Sequence, residues 1–204
     1  MRRISLIALA LFATLIAAGC GEYGKRYTGE STAAAASADR EQDITDEKFD
    51  DAVKKRDGCT DVEEFESDGS EHTPGEADDV TYKHNPPHSG NHNPIAAEWG
   101  LYDEEQRDEN TVHNLEHGHI VISYKGISAK QVDTLLDQAR KNPYHLLVQP
   151  RKKNPKDGVF YTSWTHQMSC KVPSAAALQF MIENHRDQGP ELFTDDASRS
   201  MNAE

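Results

Sequence analysis

The segment at residues 113–119, HNLEHGH, carries three histidines and one glutamate. His113 and His117 are four residues apart, so on a helix both imidazoles lie on one face and can share a metal ion. The earlier segment HNPPHSGNHN places His88 and His92 four residues apart again, on a loop stiffened by proline and glycine. Because a metal ion in a protein needs three or four ligands, the two segments together predict a transition-metal site.

All but one of the predicted ligands lie in these two segments, and the exception, His72, precedes them. We expect His92, His113 and His117 to contact the ion directly, with Glu116 and His72 as the next candidates. Zinc and copper both fit, because imidazole binds either ion. Metal binding or handling is therefore the predicted function.

The spacing His-x-x-Glu-His also matches the inverzincin peptidases, in which two histidines hold zinc and the glutamate activates water. That motif lies inside a long helix, whereas Gly118 and the β-branched residues after it stop a helix here. A binding protein is therefore favoured over an enzyme. Two alternatives stay open: a metal-dependent hydrolase with Glu116 as base, and a non-catalytic structural or interaction module in which the histidines form a hydrogen-bonded knot.

The other histidines give weaker signals. His166 and Met168 lie close to Cys170 in WTHQMSC, and a group of this kind would suit copper. Cys170 is better explained as a disulfide partner. We expect the other histidines to be structural or surface residues: His84, His145, His166 and His185.

The N-terminus has the pattern of an export signal. Two arginines precede an apolar run that is shorter than the roughly 20 residues of a membrane-spanning helix. Residues 17–20 read AAGC and resemble a lipobox, so residues 1–20 are predicted to be a lipoprotein signal peptide with Cys20 acylated. Lipid on Cys20 would anchor the protein to the outer, extracytoplasmic face of a membrane.

Composition divides the rest of the chain. Residues 21–56 are mostly small and charged, which predicts a disordered tether that ends in a short helix. Residues 57–192 are long enough for one histidine-rich globular domain, and residues 193–204 are predicted to be a flexible tail. The net charge of −13, without a basic cluster, excludes nucleic acid as a partner.

Two cysteines lie near the two ends of the predicted domain. In an exported protein, Cys59 and Cys170 are most simply a disulfide, although either thiolate could be a metal ligand. Closing a loop of this length would contribute roughly 4 kcal/mol in the chain-entropy model.

Periodicity predicts an α+β fold with the order strand, helix, strand, strand, helix. The strands are HIVISYK, YHLLVQP and VFYTSWTHQM; the helices begin after Ser128 and Ser174. We expect the first two strands to be parallel across a helix and the last two to form a hairpin, giving a small mixed sheet. A long region rich in Pro, Gly and His precedes them. Within it, Asp108 is predicted to cap a short helix that Gly118 ends.

Several blocks in this order resemble the family of domain of unknown function 3105, over about residues 58–191. They are GCTDVEEF, PPHSGNHNP, WGLYDEE, VHNLEHGHIVISY, TSWTHQMSC and GPE. The resemblance implies a shared histidine and glutamate site but no reaction. His88 stands where the family usually has threonine, and His119 lies where the family varies. The matching positions are Tyr82, Pro86, Pro87, Ser89, Gly90, His92, Gly100, Tyr102, His113, Leu115, Glu116, His117 and Gly118.

Overall fold

The computed structural model describes residues 49–73 and 80–192. Their elements, in chain order, are α1 (Asp51–Asp57), β1 (Glu63–Glu64), β2 (Gly100–Leu101), α2 (Asp108–Glu116), β3 (Ile120–Lys125), α3 (Ala129–Arg140), β4 (Leu146–Pro150), β5 (Gly158–Ser163), β6 (His166–Cys170) and α4 (Ala175–His185). The predicted signal peptide with Cys20, residues 21–48 of the predicted tether, and the predicted tail lie outside the described residues. No helix in the described part has the length and apolar composition needed to cross a membrane.

The sheet is mixed and has the order β1-β6-β5-β3-β4-β2. The central strand β3 pairs parallel with β4, as expected for two strands joined through a helix, and antiparallel with β5. The α+β class is confirmed. Two short strands from the first half of the chain extend the sheet at its two edges, where β1 pairs with β6 and β2 pairs with β4.

The structure contains a hairpin, but it is not formed by the two strands that were predicted to form it. The run VFYTSWTHQM is two antiparallel strands, β5 and β6, which reverse direction at Trp164 and Thr165. Thr165 takes a left-handed backbone conformation, with φ of 58°. The turn was missed because it contains neither glycine nor proline and interrupts a run of β-forming residues.

One face of the sheet carries the main core. Ile120, Ile122, Val148 and Tyr161 are buried there against α3 and α4. Both helices begin where predicted, because the hydroxyls of Ser128 and Ser174 accept hydrogen bonds from backbone N–H groups of the first turn. The opposite face is covered by α2 and the loop before it, through a smaller cluster formed by Leu115, Val121 and Leu147.

The folded part begins earlier than composition indicates. The carboxylate of Asp50 caps α1, and Phe49 is buried edge-on against Phe180 of α4. Residues 49–56 lie in the predicted tether, and α1 is the short helix expected at its end; the Phe49 side chain packs this segment against the core. The Cys59–Cys170 disulfide is present and joins the segment after α1 to the end of β6.

Candidate metal centre

Helix α2 carries two residues of the candidate site, His113 and Glu116, and His117 follows directly as its C-cap. It is buried almost all round, because Leu115 faces the sheet while Asn114 faces the preceding loop. The Asn114 amide donates to the carbonyl oxygen of Ala97 at 2.7 Å and accepts from its N–H at 3.1 Å. The last helical residue is Glu116, and Gly118 stops the helix just after the His117 cap, as predicted, with φ of 81°, a conformation that favours glycine.

The start of α2 differs from the prediction. Arg107 occupies the capping position without a side-chain cap, and Asp108 is the first helical residue. The Asp108 carboxylate instead makes two hydrogen bonds with the buried guanidinium of Arg151, at 2.8 and 2.9 Å. The same guanidinium donates to Asn85 at 2.6 Å, so it joins α2 to the proline-containing loop.

The structure brings four residues from three distant segments together. The ligand atoms of these residues lie within 4.8 Å of one another, and the residues are His72, His92, His113 and Glu116. The carboxylate oxygen Oε2 of Glu116 is 2.9 Å from His92 Nε2 and 3.6 Å from His72 Nε2. In a tetrahedral zinc site, metal–nitrogen bonds of 2.0–2.1 Å place neighbouring ligand atoms about 3.3 Å apart. The two measured distances lie on either side of this value.

Three of the rings are oriented by backbone carbonyl oxygens. Nδ1 of His92 contacts the Gly90 carbonyl at 2.8 Å, and Nδ1 of His113 contacts the Asn93 carbonyl at 2.7 Å. Nδ1 of His117 contacts the carbonyl of Glu191 at 2.6 Å. A carbonyl oxygen only accepts, so each Nδ1 carries the proton and each neutral ring keeps its lone pair on Nε2. Metal-binding histidines are typically oriented in this way.

The lone pairs face other acceptors. Nε2 of His113 is 2.6 Å from Nε2 of His117, and Nε2 of His92 faces the Glu116 carboxylate. Two neutral nitrogens that both lack a proton repel each other at this distance, unless a proton or a cation lies between them. The arrangement can therefore take up a cation.

Burial determines the charge of the site. Desolvation lowers the pKa of His113 to about 4, and it also lowers the pKa of His117. Glu116 is 1% exposed, and the side chains that contact its carboxylate in the described part of the chain are imidazoles. A buried carboxylate needs a positive partner, and a cation held among these imidazoles would supply one.

The site has one open side. The side chain of His72 is 43% exposed, whereas that of His92 is fully buried. His72 is held there by a parallel bridge between its backbone and that of His92. An ion or a water ligand could reach the cluster from the side of His72.

His117 occupies a different position from the other predicted ligands. It contacts His113 but belongs to a second group of close ligand atoms, with Glu116 and Glu191. The chain returns here after α4, where the Glu191 N–H donates to the Glu116 carbonyl at 3.1 Å. A side chain at Gly189 would collide with that carbonyl, so this close approach requires glycine. Glu191 was not predicted as a ligand, although it is the last residue of the GPE block quoted above.

A second histidine group lies on the same loop. Asp68, His84 and His88 also place their ligand atoms within 4.8 Å of one another. His84 was expected to be structural or at the surface, and nothing in the local spacing pointed to Asp68. The predicted alternative of a copper site at His166, Met168 and Cys170 is excluded as it stands, because Cys170 is in the disulfide.

Comparison with known families places these residues in context. The sequence model of one family matches residues 74–198, more than half of the chain. The chain belongs to that family, described as "Protein of unknown function (DUF3105)". The DUF3105 match includes His92, His113 and Glu116, whereas His72 lies just before it. No curated protein and no solved structure matches the chain.

Proposed function

We propose that this protein binds a transition-metal ion, zinc or copper, through His72, His92, His113 and Glu116. The observation that supports this most strongly is the convergence of Nε2 lone pairs on one another and on a buried carboxylate. A divalent cation among these four residues would turn the contact between His92 and Glu116 into shared metal–ligand bonds, and a cation that also bound His117 would do the same for its contact with His113. His117, directly beside His113, is an additional or alternative ligand from the same face of α2.

We also propose that the protein works outside the cytoplasm, anchored to the outer face of a membrane by lipid on Cys20. The lipobox-like sequence before Cys20 is the main support. The Cys59–Cys170 disulfide agrees with it, because structural disulfides persist in oxidising compartments. The protein would then bind or handle metal at the cell surface.

A simple binding role fits the site better than hydrolysis. A glutamate base must reach a water molecule beside the metal, but the Glu116 carboxylate is 1% exposed and contacts His92. Helix α2 ends at Glu116. Glu116 is therefore better placed as a metal ligand than as a base.

The experiment that tests this proposal is a zinc titration of the full chain and of the double variant His113→Ala, His117→Ala. A competing chelator with a visible signal reports the affinity. We expect the wild type to bind zinc in a defined stoichiometry and the double variant to lose one equivalent while it stays folded. Turnover of a hydrolysable substrate that disappears with the same substitutions would favour the enzyme. A lower melting temperature with unchanged zinc uptake would favour the structural knot.

A further inference from the structure

We propose a second metal site, formed by Asp68, His84 and His88, that binds one divalent transition-metal ion independently of the first. The ligand atoms of the three residues lie within 4.8 Å of one another. Two imidazoles and one carboxylate are a donor set suited to zinc, with one position left open for water.

His88 supplies the observation that points to a ligand. It is 1% exposed, and its buried Nε2 has no hydrogen-bond partner among residues 49–73 and 80–192. Its Nδ1 is 3.1 Å from the hydroxyl of Ser89, which itself accepts the N–H of Asp68 at 3.0 Å. Ser89 therefore engages one nitrogen and leaves the other without a partner. A buried polar atom without a partner costs free energy, and coordination to an ion would remove that cost.

The rings are held in place by packing. Phe65 stacks on His88 with ring centroids 4.4 Å apart, and it contacts His84 at 4.9 Å. The two imidazoles are themselves 4.5 Å apart. Little side-chain entropy would be lost on binding, because Phe65 already restricts both rings.

One carboxylate oxygen remains for the ion. Lys83 donates to Oδ1 of Asp68 at 2.7 Å, whereas Oδ2 is 3.8 Å from His84 Nε2. The Lys83 side chain is 74% exposed, so this ion pair is easily exchanged for contact with solvent. Lys83 and the ion would compete for the same negative charge.

The same pair of loop segments carries residues of both sites. The backbone between residues 69 and 73 is hydrogen-bonded to the backbone between residues 90 and 92, and the Asp68 N–H next to it donates to the Ser89 hydroxyl. Asp68 and His88 lie at one end of this paired segment, and His72 and His92 lie at the other. In each segment the residue of the second site precedes the residue of the first site by four positions. The Cα atoms of His88 and His92 are therefore at most roughly 14 Å apart.

The test measures zinc stoichiometry on the full chain by equilibrium dialysis and elemental analysis. We expect two equivalents for the wild type, and one for His84→Ala, whose partly exposed side chain can be removed without opening the core. The matched control His166→Ala removes a partly buried imidazole outside both groups and should keep two. Lys83→Gln should bind the second equivalent more tightly, because Asp68 is released.

The outcomes separate the two sites. A wild type with only one equivalent, lost in the His113→Ala, His117→Ala variant and kept in His84→Ala, would overturn the second site. Unchanged stoichiometry in His84→Ala would also overturn it. If the wild type binds one equivalent that only His84→Ala removes, the second site stands and the first proposal fails.

Discussion

Nε2 of His113 lies 2.6 Å from Nε2 of His117, and each ring donates its Nδ1 proton to a backbone carbonyl oxygen. The two lone pairs therefore face each other inside the protein. In a neutral, ion-free protein this contact is repulsive. The metal ion that we propose, held by these two side chains, would remove the repulsion.

Glu116→Gln should separate metal binding from a purely structural role. The substitution removes one ligand, so we expect zinc affinity to fall by more than the ~10–100-fold typical of losing an outer partner of a metal ligand. Without metal, the melting temperature should stay the same or rise, because the new amide can donate to Nε2 of His92. Chelator competition and thermal unfolding with and without EDTA check both effects.

The control for that variant is Glu109→Gln. Glu109 is a second buried glutamate on α2, and it lies 3.7 Å from the Arg107 guanidinium rather than in the histidine group. Its substitution should leave zinc affinity unchanged. If Glu116→Gln instead destabilises the metal-free protein and keeps zinc affinity, Glu116 is a partner in a hydrogen-bonded knot.

We expect the Arg151 side chain to make the main polar contact that holds α2 in position. Its guanidinium is buried and binds both Asp108 oxygens, so Arg151→Ala leaves a largely buried carboxylate with only the ammonium of Lys153, 3.9 Å away. We expect the free energy of unfolding to drop by ~3–5 kcal/mol, measured by urea denaturation. Arg151→Lys should recover only part of this, because an ammonium cannot make the paired contact.

An exposed ion pair provides the comparison. Arg140 contacts Asp137 at 2.6 Å on the surface of α3, where both side chains are solvated. Arg140→Ala should cost no more than about 1 kcal/mol. Equal losses for the Arg140 and Arg151 variants would show that the Asp108 contact does not hold α2.

His185 should make stability depend on pH. Burial, with a smaller effect from His166, lowers the pKa of His185 to about 4 from an ordinary value of 6.5. Between these values the unfolded chain binds a proton that the folded chain does not. Stability is therefore complete above pH 6.5 and falls as the pH drops towards 4, by at most ~1.4 kcal/mol per pH unit for one proton. His185→Gln should weaken this dependence in melts from pH 7 to 4. An identical pH profile would contradict the shift.

The disulfide should contribute to the free energy of unfolding and should not affect metal binding. Replacing Cys59 and Cys170 by serine reopens a loop with a sequence separation of 111 residues, so we expect a loss of roughly 4 kcal/mol. Zinc stoichiometry should stay the same, because neither cysteine belongs to a histidine group. Loss of zinc from a variant that remains folded would show that the disulfide supports the site directly.

Local patterns predicted much of the fold and part of the site. Both serine caps, the strand after Gly118 and the pairing of His113 with His117 follow from spacings of a few residues. The same is true of the parallel pair formed by β3 and β4, since the helix between them requires it.

The rest depends on contacts between distant segments. His72 comes to the site through a bridge to His92, and the ring of His117 is held by a carbonyl that follows α4. Asp68 meets His88 only because two loop segments pair through their backbones. Backbone pairing between irregular loops produces no periodic pattern of side chains, so the sequence does not predict it.

The most direct test of the central claim is a crystal structure of the zinc-soaked protein with anomalous data collected on both sides of the zinc absorption edge. We predict an anomalous peak about 2.0–2.2 Å from Nε2 of His92, Nε2 of His113 and a carboxylate oxygen of Glu116. His72 or a water molecule would complete the coordination. Density without a peak among these atoms, with His113 and His117 still in contact, would contradict the account.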